Sequence, residues 1–338
     1  MSDVVLAVDG GNSKTDLALV RADGELLALT RGPMSSPQHL GLEGSLEVLE
    51  RLLAEAAEEA GLRGNGAVAE VAELLMAGVD FPAEEEELRD AVAGRGWARR
   101  TSVGNDTFAV LRAGTERGWG VAVVCGAGIN CVGVAPDGRH ARFPALGEIT
   151  GDWGGGYDVG IAAASAAARS EDGRGPKTSL ERAVPAYFGL ETPTELAEAV
   201  HRQRIPLRRV AELPPVVFAE AAHDPVAAAI VHRLAGEVAA LARVALERLG
   251  LEQEPTEVLL GGGLLRSGDG RLTAAIEAEL RGIAPALRVR TARSAPIVGA
   301  ALLGLDELGA SEDVQKRVRR ELGAAVERLE ERRGRADG

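Results

Sequence analysis

Three times in this chain a short apolar run stops at clustered glycines: Val4 to Val8 at Asp9-Gly10-Gly11, Trp119 to Cys125 at Gly126-Ala127-Gly128, and Val258 to Leu260 at Gly261-Gly262-Gly263. Runs this short and this rich in Val and Leu read as buried strands, and glycine at a strand end lets the backbone turn sharply or lie against a ligand with no Cβ in the way. Open α/β sheets bind ligands outside their strand ends. The three breaks together therefore point to a nucleotide, although each one alone is also an ordinary turn.

The first two breaks share a longer pattern. VDGGNSKTDLALVRADG and VCGAGINCVGVAPDG both run strand, glycine-rich turn, strand and Asp-Gly turn, with loops that differ by one residue. The pattern suggests two similar α/β halves, and two unrelated hairpins are the other reading. A length of 338 residues suits two domains. Their expected bounds are 1–114 for an N-terminal α/β domain, 115–310 for a C-terminal α/β domain with a helical insertion, and 311–338 for a charged C-terminal helix or tail.

Between the breaks, Thr15 to Val20 and Glu25 to Thr30 read as strands, and Leu46, Leu49, Leu52, Leu53 and Ala56 recur at helical spacing between Leu42 and Gly61. A buried strand over Val71 to Ala77, an acidic helix over Ala83 to Gly94 and a strand over Arg100 to Val103 follow. In the second half, Ile129 to Val134 continues the hairpin, and an Ala-rich helical region from Tyr157 to Gly250 is divided at Pro185, Pro206 and Pro214-Pro215. Leu287 to Thr291 reads as a strand and Ala295 to Leu308 as a helix. Val314, Val318, Leu322, Val326 and Leu329 predict an amphipathic helix that either docks on the body or pairs two copies as a homodimer.

A net charge of -13 argues against nucleic acid or an anionic membrane as partner and favours a small molecule. It does not disfavour a nucleotide, whose phosphates are held locally by backbone N–H groups and Mg²⁺. Cys125 and Cys131 give neither a disulfide framework nor a four-ligand zinc site. No basic, apolar leader opens the chain, and no long uncharged apolar stretch interrupts it, so a cytoplasmic protein is expected.

The candidate chemistry lies beside the glycines. Gly10, Gly11, Asn12, Ser13, Lys14 and Thr15 follow a strand directly and offer small residues, a hydroxyl and a cation to a phosphate, without the GxxxxGK[ST] spacing of a Walker loop. Asp9 would suit Mg²⁺ through water. Asp106, where a strand gives way to a helix, is either a helix cap or the acceptor of a hydroxyl proton during phosphoryl transfer. Asp152, inside the glycine-rich segment 147–156, holds a hydroxyl or caps the helix beginning near Tyr157.

This order of motifs resembles the actin-like ATPase and sugar-kinase superfamily, and within it the BadF/BadG/BcrA/BcrD ATPase family, which includes N-acetylglucosamine kinases. VDGGNSKTD and VVCGAGINC look like the family's two phosphate motifs and VLLGGGLL like its adenosine motif. GNDTFAVLRAG is similar to the segment carrying the catalytic Asp, and SAPIVGAALLGL to the closing helix. The resemblance implies two actin-like ATPase (ribonuclease H-like) domains around a central cleft, ATP and Mg²⁺ as cofactors, and phosphorylation of the 6-hydroxyl of an amino sugar such as N-acetylglucosamine. It implies Asp106 as general base, Asp9 on the Mg²⁺ side, and Gly10 to Thr15, Gly126, Ala127, Gly261, Gly262 and Gly263 around the nucleotide. Ser36, Gly78, Asn105, Asp106, Gly128, Gly147 and Asp152 would then form the sugar site.

The sugar side departs from the family pattern. Ser35-Ser36-Pro37-Gln38-His39 stands where an Asn is usual, Gly126-Ala127-Gly128-Ile129 where Gly-Thr-Gly-Ser is usual, and Gly151-Asp152-Trp153-Gly154-Gly155 where GDEGS is common. Each buried hydroxyl left unpaired costs ~1–3 kcal/mol, so glucosamine or another hexose is an alternative substrate. Two alternatives lie outside the kinases: an ATPase coupled to a partner enzyme of the acyl-CoA dehydratase type through a cysteine-bound iron–sulfur cluster, and a sugar sensor.

Overall fold

The computed structural model describes residues 3–62, 67–266, 270–284 and 286–336. They form two compact units, Met1–Gly120 with Ala292–Gly338, and Val121–Thr291.

The first unit opens with strands β1 (Val4–Gly10), β2 (Lys14–Arg21) and β3 (Leu26–Pro33), followed by helix α1 (Pro37–Glu59), β4 (Ala69–Met76), α2 (Pro82–Arg95), β5 (Ala98–Asn105) and α3 (Asp106–Gly114). The sheet order is β3-β2-β1-β4-β5, with β1 to β3 antiparallel and β1, β4 and β5 parallel. Because side chains alternate across a strand, the continuous apolar run of β1 demands cover on both faces. Val4, Leu6 and Val8 pack with Leu46, Leu49 and Leu53 of α1 and Leu88 and Val92 of α2, while Val5, Ala7, Ala18 and Val20 face the other way. Helix α1 begins at Pro37, earlier than the apolar spacing indicated, and is broken at Gly41, whose φ of 69° interrupts the helix.

The second unit runs β6 (Gly120–Cys125), β7 (Ile129–Val134), β8 (His140–Arg142), α4 (Gly155–Glu171), α5 (Leu180–Tyr187), α6 (Pro193–His201), α7 (Pro214–Glu220), α8 (Pro225–Leu249), β9 (Glu257–Gly261), α9 (Gly262–Arg266), α10 (Gly270–Arg281) and β10 (Arg288–Thr291). Pro185 does not divide helices as expected; it lies within the last turn of α5. Helix α8 is long and apolar enough to cross a bilayer by composition alone, but its stripe Ile230, Leu234, Val238, Ala242 and Leu249 is buried in this unit.

The second sheet is ordered β10-β9-β6-β7-β8, the same arrangement read from the other edge. In both sheets the strand before the glycine-rich turn is central, its hairpin partner lies on one side and a parallel strand on the other. The weak sequence repeat is thus a repeat of topology.

The chain then returns to the first unit through α11 (Pro296–Glu307) and α12 (Glu312–Ala336). The bounds expected from sequence, 1–114, 115–310 and 311–338, differ from this division because α11 covers the face of the first sheet left open by α1 and α2. Ile297, Val298, Ala301, Leu302 and Leu305 pack on Val5, Ala7, Ala18 and Val20, and Val318, Leu322 and Val326 of α12 join them. The apolar stripe of α12, on which the homodimer expectation rested, is therefore buried against the chain's own core.

Beneath α11 lies an acid. Glu73 on β4 is 5% exposed, is hydrogen-bonded to Ser102 opposite it on β5, and has its pKa pushed from 4.5 to about 8 by burial and by the nearby Glu307 and Asp306 carboxylates. The folded state therefore holds this proton where the unfolded chain releases it, and the resulting loss of stability develops as pH rises from 4.5 to about 8. Glu73→Gln should match the parent below pH 4.5 and exceed it by on the order of a few kcal/mol above pH 8, read by denaturant unfolding at both extremes. Equal pH dependence of the two proteins would show that Glu73 is ionised in the fold.

Candidate active site

The first glycine-rich turn closes the β1–β2 hairpin. Gly11 donates its N–H to the Lys14 carbonyl at 2.9 Å, and a Cβ at Gly11 would come within 2.9 Å of that same carbonyl, so only glycine permits so tight a loop. Asn12 and Ser13 are exposed and Lys14 is partly exposed at its tip. Gly10 and Thr15 are buried: the Thr15 hydroxyl is hydrogen-bonded to the Pro33 carbonyl at 2.8 Å and to Ser35 Oγ at 2.7 Å. Of the residues expected to meet a nucleotide here, Gly11 to Lys14 present a surface, while Gly10 and Thr15 hold it in shape.

Behind the hairpin, cross-strand partners build a row of charge, because Asp9 pairs with Asp16 and Asp16 with Arg31. Asp16, 1% exposed, is bound by the Arg31 guanidinium through Nε and, at 2.7 Å, Nη2, and Lys14 Nζ lies 3.6 Å from its Oδ2. Asp9 is left without an equal cation. Burial, with Asp16 and Asp106 nearby, pushes its pKa from 3.8 to about 8. A desolvated carboxylate with excess negative charge around it suits a divalent cation. Among the described residues no group of three His, Cys, Asp or Glu side chains could hold a metal by itself. Mg²⁺ fits that pattern, since it accepts one or two carboxylates and takes its other ligands from water and phosphate.

Asp106 is not the cap of α3. Asn105 is: its Oδ1 accepts from the Thr107 N–H at 3.0 Å and the Thr107 hydroxyl at 2.6 Å, and its Nδ2 donates to Asp80 Oδ1 at 2.7 Å. The Asn105 side chain, expected at the sugar, is 3% exposed and committed to these bonds. Asp106 is the first helical residue. Burial raises its pKa from 3.8 to about 6, opposed by hydrogen bonds from the Thr107 and Asp106 N–H groups. It is held as a base whose proton affinity lies close to neutral pH. Close packing fixes the helix beneath it, because a Cβ at Gly299 of α11 would overlap the Ala109 carbonyl.

Ser36 and Gly78 adjoin. Gly78 has φ +74°, and a Cβ there would sit 2.7 Å from Ser36 Oγ. That hydroxyl is buried and is the one such side-chain oxygen or nitrogen among the described residues without a hydrogen-bond partner.

In the second unit, the Gly126-Ala127-Gly128 turn is exposed along its length. Its carbonyls are fixed from below: the Gly156 N–H donates to Gly126 O at 2.8 Å and the Tyr157 N–H to Ala127 O at 2.9 Å. The N-terminus of α4 thus takes two loop carbonyls, and the third, Gly128 O, accepts the Gly126 N–H at 2.9 Å, so the turn is held by backbone alone. This approach requires glycine at 155, where φ is +76° and a Cβ would overlap the Gly128 carbonyl. Asp152 does not cap α4, because the carboxylate bonded to Gly154 N, at 2.9 Å, is Asp158. Asp152 accepts from the Thr150 hydroxyl, and its N–H donates to Gly147 O at 3.0 Å, so Gly147 and Asp152 close one small loop.

The third break joins this site. Gly261 ends β9 beside Val124, and Gly262, with φ +83°, lies against the backbone of Cys125. Gly263 and Leu264 line a cavity of ≈ 370 Å³ with Gly126, Ala127, Gly156, Ala211, Glu212, Pro214, Pro215 and Phe218. Its prolines and phenylalanine form an apolar wall beside the Gly126-Ala127-Gly128 turn, a setting that suits a nucleoside. In the sequence Pro214-Pro215 reads only as a break between helices; Phe218, one turn further along α7, is the residue that could have marked the apolar wall.

A family model for the BadF/BadG/BcrA/BcrD ATPase family matches residues 6–304. The chain belongs to that family. The N-acetylmuramic acid/N-acetylglucosamine kinase of Clostridium acetobutylicum is 30% identical over 268 residues, 78% of this chain and 86% of that protein. Among solved structures, an N-acetylglucosamine kinase candidate from Chromobacterium violaceum aligns with TM-score 0.69 and 27% identity, over 89% of this chain and 99% of that one. A ROK family glucokinase from Streptomyces griseus, in complex with glucose and AMPPNP, shares the fold at TM-score 0.53 and 19% identity, over 90% and 99% of the two chains. The fold is the α/β architecture of actin-like (ribonuclease H-like) ATPase domains.

Gly155→Ala should lose about 2–4 kcal/mol of stability, since the left-handed backbone and the overlap with Gly128 act together. Gly126→Ala, where a Cβ meets nothing within 4 Å, should melt with the parent. Thermal unfolding of the two variants checks the contrast, and equal melting temperatures would remove the case for backbone contact at this turn.

Proposed function

We propose that this chain is an ATP-dependent sugar kinase that transfers the γ-phosphoryl group to the 6-hydroxyl of an amino sugar, N-acetylglucosamine first. The observation that carries it is Asp106: a carboxylate relieved of capping by Asn105 and poised near neutral pH, in a family whose phosphate turns this chain carries twice. The curated relative's activity on N-acetylated amino sugars supports the acceptor. The unpaired Ser36 hydroxyl beside Gly78 supports a polar ligand at the position that the resemblance gives the sugar.

In this reading Asp106 accepts the proton of the sugar hydroxyl as its oxygen bonds to the γ-phosphorus, and ADP leaves with the electrons of the broken P–O bond. In the first unit Lys14 and the amides around Asn12 and Ser13 suit phosphate oxygens, and in the second unit the Gly126-Ala127-Gly128 turn suits phosphate and the ≈ 370 Å³ cavity beside it a nucleoside. Asp9 would hold Mg²⁺ through water, which supplies charge neutralisation along the phosphates. Asp152 and Gly147 bind sugar hydroxyls. The partner is a small molecule, with neither nucleic acid nor membrane, and the setting is the cytoplasm. Any second copy in a homodimer would use a surface other than the buried stripe of α12.

The partner-coupled ATPase reading loses its chemical basis here. Cys125 and Cys131 are 0% and 1% exposed, and burial pushes the Cys125 thiol up to about 12 and Cys131 in the same direction, so both stay protonated and enclosed.

ADP release with Mg-ATP, measured against N-acetylglucosamine, glucosamine, N-acetylmannosamine, glucose and no sugar, should show strong stimulation by N-acetylglucosamine. Sugar-independent release would return the partner-coupled reading, and tight sugar binding without turnover would make the chain a sensor. Asp106→Asn should lower kcat by roughly 10²–10⁴ with ATP binding intact. In the parent, kcat/KM should rise with pH through about 6 as Asp106 loses its proton.

A further inference from the structure

Helix α12 lies beyond the stretch that the family model matches, which ends at residue 304. It is nevertheless fastened to the working parts of the first unit. Val318, Leu322 and Val326, each four residues from the next, are 1%, 0% and 3% exposed. Arg319 of the same helix caps the far end of α3, with Nη1 donating to Ala113 O at 2.5 Å and Nη2 to Arg112 O at 3.0 Å and Thr115 O at 2.7 Å. Four residues beyond Val326, next to Leu329, the same side of the helix carries the exposed Glu330. Residues four apart share a helix face, so the face that is apolar over the sheet turns acidic where the helix passes the first phosphate turn. There Glu330 Oε1 lies 3.5 Å from Lys14 Nζ and 3.8 Å from Arg31 Nη2.

We propose that Glu330 stands in for a nucleotide phosphate at Lys14, so that α12 carries a built-in competitor which ATP must displace to engage that lysine. An anionic oxygen placed against the lysine of a phosphate turn and the β3 arginine beside it makes the contacts that a phosphate oxygen makes. Arg31 is already bound to Asp16, which leaves Lys14, 39% exposed at its side chain, as the group able to change partner. The backbone of α12 stays docked through its buried stripe while the Glu330 side chain, 58% exposed, swings away. The inference rests on reading this turn as a phosphate site.

The test is titration calorimetry of the full chain with Mg-ATP, without sugar. Glu330→Gln should bind Mg-ATP about two- to fivefold more tightly than the parent at low salt, the range expected for one partly exposed ion pair. The gain should fade at about 1 M salt. It should also be absent in Lys14→Gln, where Glu330→Gln adds nothing. Glu331→Gln, which removes the same charge from the neighbouring exposed position, should leave affinity at the parental value. Unchanged or weaker binding by Glu330→Gln, an equal gain in Glu331→Gln, or a gain that survives in the Lys14→Gln background would each overturn the proposal. A parent that does not bind Mg-ATP at all would overturn the nucleotide reading beneath it.

Discussion

Peptide backbone resting directly on peptide backbone is the constraint on which the candidate site depends. A Cβ at Gly155 would overlap the Gly128 carbonyl, at Gly262 the backbone of Cys125, and at Gly299 the carbonyl of Ala109. Each contact fixes one element of the candidate site directly against another element. A side chain at such a contact hops between rotamers, whereas a carbonyl held against a Cα has one place to be. The Gly126-Ala127-Gly128 turn is therefore positioned by the start of α4, and α3 with Asp106 by α11.

Electrostatics then distinguishes carboxylates that occupy similar surroundings. Asp16 has Arg31 and Lys14, Asp224 takes the hydroxyls and N–H of Thr178 and Ser179 and is held well below the usual range by such bonds, and Asp9 and Asp106 have no such complement. Burial moves both of the latter upward. One fold thus holds Asp224 below the usual carboxylate range and lifts Asp9 and Asp106 above it, the kind of contrast by which a site can prepare charge for a ligand.

Much of this was legible in the sequence because it depends on local pattern. The strand, glycine turn and strand succession placed β1, β2, β6, β7 and β9 within a residue or two, and the same glycines marked where those strands end. What escaped depends on distance along the chain. Nothing near Pro296 says that α11 belongs with β1, although its apolar residues lie all round the helix, more than one covered face requires. Nothing near Asn105 says that its amide is taken by Asp80, so a neighbour of Asp106 that reads as a sugar ligand is instead committed to capping α3. The wall formed by Pro214, Pro215 and Phe218 lay in a region where prolines read only as interruptions.

The first unit is built from both ends of the chain, with all of Val121–Thr291 lying between its two parts. On a ribosome, where domains form as their residues emerge, the second unit is fully synthesised while one face of the first sheet still lacks its cover. Val5, Ala7, Ala18 and Val20 wait for Ile297 to Leu305 and then for Val318 to Val326. Strand β1 is thus completed by helices α11 and α12, and a nascent chain halted before residue 296 would display an apolar sheet face for chaperones to find.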